Sequence, residues 1–208
     1  MGTMNNNSQT KYVVFDIGNV LLKATHREYL QQIYEKDTAE QLVSEVFHQP
    51  EFAEYEKGMY TNEELIDIYG KRFPSHIKEI KRTVNHWEEL TTYMDESWEM
   101  LKELKEYKIP VYILSTMGRE WKEQIFDKFK DFELIDGSVF SYEVHSNKPD
   151  SKIYLALFEK YHLDPGEGIF IDDKKENIDK GIQLGMKGIV FTNIITVKTE
   201  LFKELNLE

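Results

Sequence analysis

The sequence predicts an α/β fold: a parallel sheet core with helices on both faces and an inserted α-helical cap. Three observations carry this. Short, continuous apolar runs such as residues 109–114 and 168–171 alternate with helical patterns after Asp95. Strands buried on both faces read this way, and strands alternating with helices build a parallel sheet. A matching run, Tyr12-Val13-Val14-Phe15, stands alone near the start, and from about Thr25 to Thr92 the pattern is helical with no convincing strand.

In chain order, the first strand ends at Asp16, with Gly18-Asn19 following as a turn signal. Within the helical block, Tyr29, Ile33, Leu42 and Val46 recur at helical intervals. Thr61-Asn62-Glu63-Glu64 reads as a capping box opening a helix that carries Leu65, Ile68 and Tyr69. Phe73-Pro74 breaks that helix, and another is expected to run to about Leu90. Trp98, Leu101, Leu104 and Tyr107 mark the next helix, followed by strand 109–114, helix 118–130 and a short strand at Val139-Phe140. Pro149 is expected to open a helix at its first position, with Ile153, Leu157, Phe158 and Tyr161 facing inward. Strand 168–171 ends at Asp172-Asp173. A helix through Ile178 and Ile182, a strand at 188–191 and a helix at 197–205 complete the chain. The expected division is 1–10 as a tag and flexible tail, 11–23 with 93–208 as a Rossmann-like core, and 24–92 as the cap.

Composition narrows the chemistry. The 208 residues include 38 acidic against 26 basic side chains, a formal charge of −12, and no cysteine. A disulfide scaffold, a Cys-ligated metal and a thiol nucleophile are therefore excluded. The acidic balance argues against nucleic acid or an anionic membrane as partner, since both demand a basic face. No apolar run approaches the roughly 20 residues of a membrane-spanning helix, and the polar start MGTMNNNSQT lacks the apolar core of a signal peptide. The expectation is a cytoplasmic protein, monomer or homodimer.

Ligands of open α/β sheets bind beyond the carboxyl ends of the strands. The residues expected there are Asp16, Ser115-Thr116, Lys148 and Asp172-Asp173. Singly, each has an ordinary explanation: helix caps for the aspartates and hydroxyls, and a solvated lysine. Together, three carboxylates at one sheet edge would repel one another unless a cation bound them or their pKa values rose. Oxygen ligands from Asp16, Asp173 and a loop carbonyl suit Mg²⁺, which accepts a substrate phosphate as a further ligand. A hydroxyl, helix-start N–H groups and one lysine suit the remaining phosphate oxygens.

The segments FDIGNVL (15–21), ILSTM (113–117), SNKPD (146–150) and FIDDKKENI (170–178) resemble, in order and spacing, the four motifs of the haloacid dehalogenase-like hydrolases. The resemblance covers nearly the whole chain from Lys11, including a helical cap between the first two motifs. With EKGMYTNEEL (56–65), the FDIGNVL form looks closest to a bacterial sugar-phosphate phosphatase-like subgroup related to the phosphatase domain of bifunctional epoxide hydrolases. This likeness implies Asp16 as nucleophile and Mg²⁺ ligand, the Gly18 carbonyl and Asp173 as further ligands, and Asp172 close to the metal. It implies Ser115 and Thr116 as phosphate-binding groups, Lys148 as the catalytic charge neutraliser, and Asn177 as a support of the last loop.

One departure matters. Most phosphatases of the family carry a general acid/base Asp two residues after the nucleophile, where this chain has Gly18. General acid–base help is worth typically about 10²–10⁴-fold, so slow turnover is expected unless another group substitutes. Two functions remain: a Mg²⁺-dependent phosphatase of a small phosphorylated metabolite, a sugar phosphate among the candidates, or a non-catalytic phospho-ligand-binding protein. In the cap, His26, Arg27, Glu54, Tyr55 and Lys57 are candidate specificity residues. Phe52, Trp87 and Trp121 read as packing residues, and the acidic stretches 51–56 and Glu63-Glu64 as solvated faces.

Overall fold

A computed structural model of the chain describes residues 10–207. The expected tail therefore lies outside the described residues except for Thr10, which is buried rather than loose. Five strands form a parallel sheet: β1 (Tyr12–Phe15), β4 (Val111–Ser115), β5 (Gly137–Phe140), β6 (Gly168–Asp172) and β7 (Lys187–Val190), in the order β5-β4-β1-β6-β7. Side chains alternate across a strand. Accordingly Val13 and Phe15 enter one apolar cluster, while Tyr12 and Val14 enter the other. Helices α6 (Asp95–Glu106), α7 (Arg119–Lys128) and α11 (Ile194–Leu205) cover the first face through Trp98, Leu101, Ile125, Val197 and Leu201. Helices α9 (Ser151–Tyr161) and α10 (Lys175–Gln183) cover the second through Ile153, Leu157 and Ile178. A one-turn helix, α8 (Ser141–Val144), follows β5.

Between β1 and α6 lie α1 (His26–Ile33), α2 (Lys36–Phe47), α3 (Pro50–Glu56), α4 (Asn62–Arg72) and α5 (Ile77–Asn85), with their own cluster of Leu42, Val46, Leu65, Tyr69 and Ile80. The helix expected to reach Leu90 instead stops at Asn85, and Trp87–Leu90 forms a 3₁₀ turn. The expectation of no strand from about Thr25 to Thr92 fails at its end, where Thr91 and Thr92 belong to a strand. Leu22–Ala24 (β2) pairs antiparallel with Thr91–Tyr93 (β3), a ribbon that joins the helical insert to the core. Each strand is three residues long, too short to show an alternation, and the residue divisions at 23/24 and 92/93 cut through both.

The remaining strands and helices agree within one to three residues, with one correction. Pro149 precedes its helix rather than opening it: the Lys148-Pro149 peptide is cis, and Asp150 is the N-cap, accepting from Lys152 N at 3.0 Å. The capping box forms as read, with Glu64 N donating to Thr61 Oγ1 at 3.2 Å and Thr61 N to Glu64 Oε2 at 2.9 Å. Thr61→Ala should cost about 1 kcal/mol, lowering the melting temperature by about 2–4 °C in a calorimetric scan.

Candidate active site

The strand order reverses direction at β1, whose neighbours β4 and β6 run outward to either side, and the crevice lies beyond such a switch point. A cavity of about 500 Å³ opens there, lined on the core side by Asp16, Gly18, Ser115, Thr116, Lys148 and Asp173.

Asp16 follows β1 and is 8% exposed. Its Oδ1 accepts from Ile17 N at 2.7 Å and Ser115 Oγ at 2.9 Å, and pairs with Lys148 Nζ at 2.8 Å. The Lys148 side chain, 3% exposed, also reaches Asp172 Oδ2 at 2.6 Å and the Leu114 carbonyl at 2.9 Å. Asp172 is the more enclosed acid. Its oxygens take Lys174 N at 2.8 Å and the Asn177 amide at 2.9 and 3.0 Å besides the lysine. Asp173 Oδ2 accepts from Asn19 Nδ2 at 3.0 Å. Asn19 sits in the left-handed region (φ 55), and its Oδ1 takes Ala24 N, which aims the amide at Asp173. Thr116 Oγ1 accepts from Lys148 N at 3.2 Å.

All of the residues expected at the strand ends thus converge. One oxygen from each of Asp16, Asp172 and Asp173 lies within 4.8 Å of the others. Electrostatics follow from that crowding. Burial raises the pKa of Asp16 above the usual carboxylate range; Lys148 pulls it down, and Asp172 pushes it up again. Burial works to lower the Lys148 ammonium, but Asp16 and Asp172 outweigh it and hold it above its ordinary value.

The cap candidates divide. His26 lines the cavity, its ring tilted 35° against that of Phe47 at 4.6 Å, and burial lowers its pKa. Arg27 instead pairs with Glu40, and Glu54 with Lys57 at 2.8 Å. Tyr55 is fully buried, its ring against Gly118, where a Cβ would come within 2.4 Å of it. Phe47, His48, Phe52 and Trp121 also line the cavity and were not marked by sequence; Phe52 and Trp121 read only as packing. No sequence signal distinguishes them, because which faces of α2, α3 and α7 meet the sheet edge is set by tertiary packing.

The expectation that 51–56 is a solvated face fails at its last residue. Glu56 lines the cavity beside the site acids, and its carboxyl makes no hydrogen bond or ion pair among the described residues. Burial pushes it up to about 8, with Lys174 lowering it and Asp16 raising it. A carboxyl whose native pKa exceeds its unfolded value removes stability as pH climbs between the two. That window here runs from about 4.5 to about 8. Glu56→Gln in metal-free protein should therefore gain melting temperature over the unsubstituted protein at pH 8, and gain less at pH 5. Equal differences at both would contradict the carboxyl's burial.

Residues 13–191 match the family model of the haloacid dehalogenase-like hydrolases. The chain is 28% identical over 158 residues to flavin mononucleotide hydrolase 1 of Arabidopsis thaliana, covering 74% of this chain and 62% of that protein. It is 25% identical over 192 residues to sesquiterpene phosphatase astK of Aspergillus oryzae, covering 92% and 94%. Two of the longer relatives are spanned over only 31% and 62% of their length. In fold it resembles a HAD-family enzyme of Bacteroides thetaiotaomicron solved with magnesium and inorganic phosphate, at TM-score 0.70 and 23% identity, covering 88% and 94%. Among the described residues, no helix is long and apolar enough to cross a membrane.

Proposed function

The chain belongs to the haloacid dehalogenase-like hydrolases, and on that premise we propose that it is a Mg²⁺-dependent phosphatase acting on a small phosphorylated metabolite through an aspartyl phosphate on Asp16. The observation that carries this reading is the convergence of Asp16, Lys148, Asp172 and Asp173 at the switch point of the sheet. Two of the three carboxylates, Asp16 and Asp172, share one buried lysine and Asp173 meets only the Asn19 amide, so the cluster is short of positive charge, and oxygen donors alone suit a hard cation.

The donor set fits the metal. Asp16 Oδ2, one oxygen of Asp173 and the Gly18 carbonyl accept no hydrogen bond among the described residues; these would hold it, and Asp172 would stand behind. When bound, Mg²⁺ supplies charge neutralisation for the phosphate oxygens. The protein's own steps are these. Ser115 and the N–H groups after β4 hold the phosphate, Lys148 offsets negative charge on nucleophile and phosphate, and Asp16 attacks phosphorus. Asp172 and Asn177 keep Lys148 in position.

The helical block 24–92 acts as the cap, closing the organic part of the substrate against Phe47, Phe52 and Trp121. That wall suits a ring face or an apolar body, a sugar phosphate being within range. Two relatives bear the names of a flavin mononucleotide hydrolase and a sesquiterpene phosphatase, which fit the same reaction class.

Gly18 favours a second reading, in which a phosphorylated ligand is held without turnover. A panel of phosphate monoesters assayed with Mg²⁺ separates the two. Phosphate release that stops with EDTA is expected; saturable binding with no release across the panel would select the second reading.

A further inference from the structure

We infer that Glu56 is the general acid/base of this site, taking from the cap side the role that Gly18 leaves vacant. The inference rests on the phosphatase reading above. Glu56 ends α3, and its carboxyl faces the same cavity as Asp16 and Asp173, with no hydrogen bond or ion pair of its own among the described residues. Asp16, Lys148 and Lys174 line that cavity with it, and they are the charges that act on it. A neutral carboxyl can donate a proton where an ionised one cannot, and burial keeps this one neutral at a pH where exposed glutamates are charged.

The segment bearing it is fastened to the core. Ser141 Oγ donates to the Glu56 carbonyl at 2.6 Å, Asn147 Nδ2 to the Ala53 carbonyl at 3.3 Å, and His145 Nδ1 meets the Lys57 carbonyl at 2.8 Å. Gly58 follows at φ 73, and a Cβ there would stand 2.9 Å from that of Tyr142. The end of α3 is thereby held at a fixed height above the sheet edge. His26, which lines the same cavity, is acted on by Glu28, Arg27 and His48 rather than by Asp16 or Lys148.

The steps balance. As an Asp16 oxygen bonds phosphorus and the bond to the leaving oxygen breaks, neutral Glu56 gives that oxygen its proton, leaving the alcohol, the aspartyl phosphate and a Glu56 carboxylate. That carboxylate then takes a proton from water as the water oxygen bonds phosphorus and the Asp16–phosphorus bond breaks. Inorganic phosphate, the Asp16 carboxylate and neutral Glu56 result.

Leaving-group dependence tests this, because an acid matters in proportion to the basicity of the departing alcohol. With Mg²⁺, Glu56→Gln should form the phosphoenzyme from 4-nitrophenyl phosphate within about threefold of the wild-type rate but lose roughly 100-fold on benzyl phosphate. The phosphoenzyme should accumulate, since the base for its hydrolysis is gone. Adding Gly18→Asp, where a Cβ meets nothing within 4 Å, should recover at least about tenfold on benzyl phosphate. A uniform loss on both esters, or no loss, overturns the assignment while the phosphatase reading stands. A wild-type protein inert toward every ester contradicts that reading and removes the assignment with it.

Discussion

Asp16→Asn is expected to lower phosphate release by at least about 10⁴-fold, on the scale seen when a catalytic nucleophile is removed. The carboxamide keeps the shape but cannot bond phosphorus as an anion. The variant should still fold. Lys148 retains Asp172 at 2.6 Å, and the buried Asp16 carboxylate, whose raised pKa marks it as costly to ionise, is gone. The sign follows from linkage: an acid with a raised native pKa subtracts stability once the pH exceeds its unfolded value. Metal-free Asp16→Asn should therefore melt at or above the wild-type temperature at pH 8. Mg²⁺ should raise the melting temperature of the wild type and leave the variant nearly unmoved, since stabilisation by a ligand follows its affinity for the native state. Residual turnover near wild type would place the nucleophile elsewhere.

Removing Lys148 should act mainly on stability, alongside its catalytic cost. Its ammonium stands between Asp16 and Asp172 at 2.8 and 2.6 Å, almost wholly enclosed. Lys148→Met leaves two buried carboxylates facing each other. Breaking a buried pair by deleting one partner costs about 3–5 kcal/mol, or a melting temperature lower by roughly 10 °C for a chain of this size. The loss should shrink as pH falls from 8 to 5, because burial and the neighbouring Asp172 charge raise the Asp16 pKa and it takes up a proton more readily once Lys148 is gone. Asp172→Asn in the same background should restore part of the stability, the mark of a repulsion between neighbours. Equal melting of Lys148→Met and wild type at pH 8 would mean that water already screens the cluster.

The sheet was legible because its strands are buried on both faces: Tyr12–Phe15 and Gly168–Asp172 need continuous apolar residues wherever they sit in the order. The site acids were legible for a related reason. Asp16, Ser115 and Asp172 end or follow strands, and a parallel sheet aligns those ends. Cap residues lack any such rule. Glu56 reads as one acid among several on α3, and only the fastening of that helix to Ser141, His145 and Asn147 turns it inward. Asn19 reads as a turn, which it is; that its amide also reaches Asp173 depends on a partner 154 residues away. The β2–β3 ribbon is not legible in the sequence because three-residue strands carry no period.

On the proposed mechanism the phosphoryl group passes through a covalent bond to Asp16. Rapid acid quenching of the protein during turnover of a radiolabelled phosphate ester, followed by peptide mapping, tests it directly. Hydroxylamine-labile label is expected on the peptide containing Asp16, present with Mg²⁺, absent with EDTA and absent in Asp16→Asn. Sustained turnover with no label on that peptide, or label that survives in Asp16→Asn, would contradict it.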